Sequence, residues 1–485
     1  MQPTRMLLLI VCCLAIVGCS STVTQNALPT STATVPAKST TEPSPTFTPS
    51  ATSMPTATPT LTGGGGKLLF FAYKSVFKGV AARAAGNFDV YSANLDGNNL
   101  TPLTQGPDGI SNILAGASPD GKQVLYYSTT HRFDRLFEDD NRVDLWVTGI
   151  QSSKTVQMNS GQVHSYLAGA TWAPDGSVYF VGWDGEGLGL FHVKPDGSDL
   201  GRVAKPVSLG ASGKAEILFF DSQNRGVYWV TGGYCTTNGL CSARYYWTAL
   251  DGSDQKQVWK WINGARDRLS LSPDGKWIAY ELYVGSSIED SAKNGCYVAT
   301  ADGSQIRRLP GNHPSCLIRL HQSDFWSPDS QAIIYWTNDE DKRNYPVHEY
   351  LPTQNTVTDL PDLQTSACEE FHWLPDGSRI LFTDCRSNYM GYDQPTSMRL
   401  LDLASNQLTV YPGTDYCEPT LSPDKLQAFL YNCHSEGVGE VSFRYYILDL
   451  ETANSTPLFT DILNASQPSA DWTLFVPAPW EGWSH

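Results

Sequence analysis

Six Pro-Asp turns recur along the chain at a nearly fixed interval. They read Ser118-Pro119-Asp120-Gly121, Ala173-Pro174-Asp175-Gly176, Ser272-Pro273-Asp274-Gly275, Ser327-Pro328-Asp329-Ser330, Leu374-Pro375-Asp376-Gly377 and Ser422-Pro423-Asp424-Lys425. Their prolines are separated by 55, 99, 55, 47 and 48 residues, so the 99 holds two periods with one degenerate copy between them. Proline presets φ at the first central position of such a turn, and glycine accepts the positive φ that follows. A chain punctuated in this way folds as a series of like units that bury their apolar faces against one another.

Each unit follows one plan. A first strand, a, runs into the Pro-Asp turn. A second, b, leaves it: Val124–Tyr127, Val178–Gly182, Trp277–Leu282, Ala332–Trp336, Arg379–Thr383 and Gln427–Tyr431. A third, c, follows, as in Asp89-Val90-Tyr91 or Asp144-Leu145-Trp146-Val147, and a second turn leads to d. That turn is Asp-Gly at Asp96-Gly97, Asp196-Gly197, Asp251-Gly252 and Asp302-Gly303, a strong hairpin signal. The degenerate copy is Asp221-Ser222-Gln223-Asn224-Arg225, followed by Val227-Tyr228-Trp229-Val230. The first unit begins at a b strand, Lys67–Tyr73. Pro468-Ser469-Ala470-Asp471 resembles a degraded turn preceded by a candidate a strand, so the end of the chain would complete the first unit. Alternating aromatics such as Tyr228-Trp229 and Tyr245-Tyr246-Trp247 are expected between units. The sequence predicts an all-β protein: a β-propeller of eight four-stranded blades, or seven if one unit is irregular, closed by the C-terminal strand. Helical periodicity with caps is absent.

The W/S-x-P-D-G turn, apolar b strand, c strand and Asp-Gly turn resemble the WD-like repeats of TolB-type periplasmic propellers. They are similar too to the propeller of the prolyl-oligopeptidase and dipeptidyl-peptidase family. The resemblance covers residues 67–476. It implies the fold and, for TolB-like proteins, protein partners at the cell envelope. The extra amino-terminal domain of those proteins has no counterpart here. The hydrolase domain of the peptidases is missing as well, since no Gly-x-Ser-x-Gly nucleophile elbow occurs.

Residues 1–18 form a signal peptide: Arg5 is the positive end, and Met6–Val17 is an apolar run too short to span a bilayer stably. Gly18-Cys19 resembles the lipobox of bacterial lipoproteins, although Val17 departs from the small residue usual there. The resemblance implies cleavage before Cys19, lipid on its thiol and an extracytoplasmic, membrane-anchored protein at the cell surface or in the periplasm. Residues 19–66 then form a disordered tether rich in Ser, Thr, Pro and Ala, open to O-linked sugar. Polyproline-like conformers would let it reach roughly 140 Å at ~3.1 Å per residue. Residues 67–476 are the propeller and 477–485 a tail containing Trp480 and Trp483.

The net charge of −16 disfavours nucleic acid and electrostatic docking on anionic lipid. Of eleven cysteines, Cys12 and Cys13 leave with the signal, Cys19 takes lipid, and eight remain. In an exported chain an even count points to disulfides; zinc is the alternative, but no CxxC pair supports it. Placed on the repeat, the expected pairs are Cys235–Cys241, Cys296–Cys316, Cys368–Cys385 and Cys417–Cys433, all at the end of the units opposite the Pro-Asp turns.

That opposite end receives the long, irregular b–c and d–a loops, where function usually resides. Arg266, Asp267, Arg268, His321, Asp324, Glu369, Glu370, His372 and Glu418 should crowd the channel mouth there, either as a mixed-charge ligand pocket or as solvated channel lining. Asp339-Glu340-Asp341 lacks the spaced ligands of a calcium loop. The segment from His131, Arg132 and Phe133 through Asp134, Arg135, Leu136 and Phe137 mixes residue types enriched at binding hot spots, and is either a protein-facing patch or a loop packed onto its blade. No catalytic residue, metal or cofactor motif is assigned. The expectation is a monomeric, non-enzymatic module that binds a protein or glycan. A hydrolase or lyase using Glu369, Glu418 and His321 is the alternative.

Overall fold

The computed structural model describes residues 67–484 except 74–87, 108, 131–141, 153, 160–162, 206–214, 222–223, 232–243, 260–264, 283–291, 313, 315, 317–324, 338–344, 366–370, 385–396, 412–415, 423–425, 433–444, 460–474 and 477–482. Among these the chain is all-β, in antiparallel sheets that follow one another along the sequence as the blades of a β-propeller. The first sheet holds Lys67–Tyr73, Phe88–Asn94 and Thr101–Pro102. Next comes the meander Ser111–Ala117, Gln123–Thr129, Arg142–Gly149 and Thr155–Gln157, followed by one from His164 to Ala204. A short pairing, Arg142 with Tyr166 and Val143 with Ser165, joins these two. Further meanders cover 215–259, 265–308, 333–365, 371–410 and 416–458. In the 333–365 sheet the a strand is reduced to a single bridge, Trp326 with Ile333.

The turns form because their side chains satisfy the backbone that the reversal strands. In Ser118-Pro119-Asp120-Gly121 the Ser118 hydroxyl donates to Asp120 Oδ1 at 2.7 Å and accepts the Gln123 N–H at 2.9 Å. Ser272 repeats this with Asp274 and Trp277, and Ser327 with Asp329 and Ala332. Where Ala173 or Leu374 replaces that serine, a later one, Ser177 or Ser378, donates to the Asp instead. The degenerate copy is a true turn: Asn224 takes the glycine's place with φ 54°, and Asp221 Oδ1 accepts the Arg225 N–H at 2.7 Å. In five units the c–d turn is tied to the a–b turn through the backbone, as in Ile150 N–H to Lys122 O and Ala301 N–H to Lys276 O. Both turns therefore lie at one end of each sheet, and the b–c and d–a connections at the other.

Adjacent sheets are joined through tryptophans beside the Pro-Asp turns. Trp172 Nε1 donates to Gly116 O at 3.1 Å, Trp326 Nε1 to Ser270 O at 3.3 Å and Trp373 Nε1 to Phe325 O at 3.2 Å. The acceptors Gly116 and Ser270 lie on the a strand of the preceding unit, and Phe325 lies just before the single bridge that replaces it. These indoles are buried, so the bonds form where water cannot compete. Outward from them the sheets pack apolar faces, with Tyr179 OH reaching Leu250 O at 3.0 Å and Tyr411 OH reaching Leu450 O at 2.6 Å.

The two ends of the chain meet in the first sheet. Phe71 and Ala72 pair with Val476 and Phe475, so the closing strand is Phe475–Val476, further along than the a strand expected before Pro468. Lys67 and Leu68 also pair with Ser484 and Trp483, residues assigned from sequence to the tail. Contacts with the last meander show the same closure. A Cβ on Gly252 would lie 2.7 Å from Val203 O in the preceding unit, and one on Gly97 would lie 3.0 Å from Phe459 N. The first unit thus rests on the last much as an interior unit rests on its predecessor. The Phe70 and Phe459 rings add a contact at 5.4 Å.

Two predictions follow from these bonds. Trp373→Phe removes the indole N–H and half of the ring, while the Phe325 carbonyl keeps its bond from the Ile334 N–H, and should lower the unfolding free energy by about 1–3 kcal/mol in urea from the lost bond and the void together; an unchanged midpoint and slope would remove the indole from the account. The Thr300 hydroxyl, with Ser304, holds the Asp302 carboxyl down to about 2 from its ordinary 3.8. The folded value is depressed, so the stability it contributes is complete above the ordinary carboxylate range and is lost as pH falls through about 2. Thr300→Val should raise the Asp302 midpoint in a carboxyl NMR titration, and no movement would contradict that assignment.

Candidate functional site

At the end opposite the Pro-Asp turns, backbone and covalent bonding fix one connection firmly. Cys296 lies in the c strand Gly295–Thr300, opposite Glu281, and Cys316 follows the d strand Ile306–Arg308. The two are joined by a disulfide with Cα atoms 5.4 Å apart, and both are fully buried. The Cys296 N–H donates to Pro314 O at 2.6 Å, and the Cys316 N–H to Glu281 Oε1 at 3.2 Å. The d–a connection is thereby held down on the start of the c strand. Cys235, Cys241, Cys368, Cys385 and Cys433 lie outside the described residues, and Cys417 is placed by its backbone opposite Tyr431.

Of the expected channel-mouth residues, Arg266, Asp267 and Arg268 fall in the strand Ala265–Leu271, where the register shifts between Ala265 and Leu269. His372 is buried in Phe371–Trp373, opposite Leu381. Glu418 lies in a second register shift, between Cys417 and Thr420. His321, Asp324, Glu369 and Glu370 are outside the described residues, as are Asp339–Asp341 and the patch of His131, Arg132, Phe133, Arg135 and Phe137. Among the described residues, no three His, Cys, Asp or Glu are grouped to hold a metal ion.

One arrangement has the look of a catalytic relay. Thr337 Oγ1 lies 3.0 Å from His348 Nε2, and His348 Nδ1 lies 2.8 Å from Asp359 Oδ1. The order, however, is that of neighbouring strands: His348 pairs with Tyr335 on one side and Asp359 on the other. Thr337 is only 7 % exposed, and Gly311 sits so near that a Cβ there would come within 2.3 Å of its methyl. A scissile carbonyl has no approach to that hydroxyl, so the row acts as a cross-strand brace.

The geometry offers a different opening, which sequence reasoning missed. A cleft of about 640 Å³ lies between the first sheet and the meander that follows it. One wall is the edge strand Thr101–Pro102 and the segment after it; the other carries Asn112, Tyr126, Ser128 and Trp146. Asn112 pairs with Ser128, and Tyr126 with Trp146, so all four share one face of their sheet. Pro102 cannot extend the ladder, and the edge strand is two residues long. The chain then bends inward to Asp89, a buried carboxylate. Asp89 Oδ1 accepts from Thr104 Oγ1 at 2.8 Å, Asn112 Nδ2 at 2.8 Å and the Gly106 N–H at 3.2 Å. Asp89 therefore shapes both walls from beneath. Burial, then the Asp89 charge, pushes the Tyr126 phenol up to about 12, so it remains a neutral donor, with a bond to Thr155 opposing the shift. The sequence signal was an Asp at the start of a c strand with Thr104 and Asn112 downstream, but nothing in it shows that the three converge.

No protein-family profile and no curated protein sequence matches the chain. Among solved structures it is similar to an oligogalacturonate lyase in complex with manganese, at 14% identity and TM-score 0.48, over 80% of this chain and 99% of that one. An oligogalacturonate lyase from Vibrio parahaemolyticus is 12% identical with TM-score 0.46, over 76% of this chain and 95% of that one. TolB from Acinetobacter baumannii is 12% identical with TM-score 0.34, over 71% and 78%.

The disulfide closes a loop with a sequence separation of 20, for which chain entropy gives about 3 kcal/mol. Replacing both Cys296 and Cys316 by Ser should speed amide exchange at the Glu281 end of the sheet and leave the turn at Ser272–Gly275 protected. Equal loss of protection at both ends would contradict a local role.

Proposed function

We propose that this chain is an extracytoplasmic, lipid-anchored, eight-bladed propeller that binds a protein or glycan through the end opposite its Pro-Asp turns. The observation that carries the reading is the buried Cys296–Cys316 disulfide, which pins a d–a connection at that end. A structural disulfide fits an oxidising compartment, in keeping with the signal peptide and Cys19 that the sequence suggests. The turn end, by contrast, spends its polar groups on its own Asx and serine bonds, leaving short and uniform connections. The count of eight blades is supported by the three strands from Lys67 to Pro102, with Phe475–Val476 added, and the meanders that follow. Cys19 would carry the lipid, and the Ser/Thr/Pro tether would let the propeller search the space above its membrane.

The Cys19→Ser chain should lose metabolic lipid label and move from the membrane to the soluble fraction. Retention in the membrane fraction would overturn the anchor. The released chain should bind isolated envelope polymer or envelope protein without changing it. Newly formed unsaturated or reducing ends in the polymer would transfer the reading to a lyase or hydrolase at the channel mouth.

A further inference from the structure

From the cleft between the first two meanders, we infer a binding site for a neutral saccharide. The inference rests on the binding reading above and names the ligand class and the place. The cleft volume of about 640 Å³ falls within the roughly 300–1,000 Å³ typical of small-molecule sites and suits a short oligosaccharide. Its chemistry is divided in the way a sugar requires. Trp146, partly buried, offers its ring to the C–H face of a pyranose, with the buried Tyr126 beside it across the ladder as its support. Around them stand hydroxyl and amide groups: Ser128, Gln105 and Asn112. Asn112 spends its side-chain N–H on Asp89, which fixes the amide and leaves its oxygen without a partner among the described residues.

Charge narrows the class further. Among the described residues no Lys, Arg, Asp or Glu lines the cleft. Asp89 lies directly beneath it, and the chain carries a net charge of −16. An acidic sugar would meet no counter-charge and a repulsive field. A cation would find no carboxylate among the described lining residues. A purely apolar ligand would bury the polar wall without hydrogen bonds, which is costly. A neutral saccharide satisfies the rings and the polar groups together.

The test uses the soluble full chain carrying Cys19→Ser, titrated by calorimetry and by tryptophan fluorescence with neutral glucan, xylan, mannan and galactan oligosaccharides and with an acidic uronic-acid oligosaccharide. Binding of at least one neutral oligosaccharide is expected, weakened roughly ten-fold or more by Trp146→Ala. Gln105→Trp, at an exposed position on the opposite wall, should block the cleft without touching the core, and keeps the test valid if Trp146→Ala unfolds. Failure of every neutral oligosaccharide to bind overturns the inference, as does binding that survives Gln105→Trp or a uronic acid that binds as tightly. If the same chain still binds envelope polymer or protein in any of those cases, only the cleft assignment falls. If it binds neither, the broader reading falls too.

Discussion

The indole N–H bonds from Trp172, Trp326 and Trp373 to the preceding unit are the constraint on which the rest is arranged. An antiparallel meander satisfies its own backbone, and nothing within it specifies how the next one should sit. In three units a tryptophan beside the turn supplies that rule. Its ring fills the narrow inner space between two sheets, and its single donor must find an acceptor once water is excluded. The acceptor is always the third residue before a turn proline, so the bond fixes the offset between units as well as their contact. The Pro-Asp turn holds the tryptophan at the correct height. Asp274 N–H donating to Ser330 Oγ at 2.9 Å then repeats the link from turn to turn.

Much of the fold was legible because its determinants are local. Pro presets a dihedral, Asp accepts backbone N–H groups two residues on, and glycine takes positive φ, so a turn can be read from four letters. The degenerate copy was legible for the same reason: Asp221 and Asn224 supply the acceptor and the left-handed residue at a wider spacing. The b strand Trp277–Leu282 has the limits its apolar pattern suggested. Ser330 shows where local reading ends. It occupies a glycine position at φ 63°, and only the neighbouring turn reveals that its hydroxyl is in use.

The site was far less legible, because a cleft between units depends on where a segment leaves the ladder. That departure is governed by Asp89, whose partners Thr104 and Asn112 lie in the connecting segment and in the next unit. A carboxylate at the start of a strand looks like any solvated charge until burial is known. The relay of Thr337, His348 and Asp359 misleads in the opposite direction. Its geometry satisfies a catalytic template, and only the covering Gly311 and the burial of Thr337 show it to be a brace.

The pairing of Phe71 with Val476 has a meaning in time as well as in space. These residues lie roughly four hundred positions apart, and contacts that distant form late because chain closure must precede them. Until the last strand arrives, the first sheet presents an open edge, the kind of edge that recruits strands from other molecules. A chain emerging amino terminus first would carry that edge throughout its synthesis. Lys67–Tyr73, the first of the described strands to be made, is therefore the last to be completed.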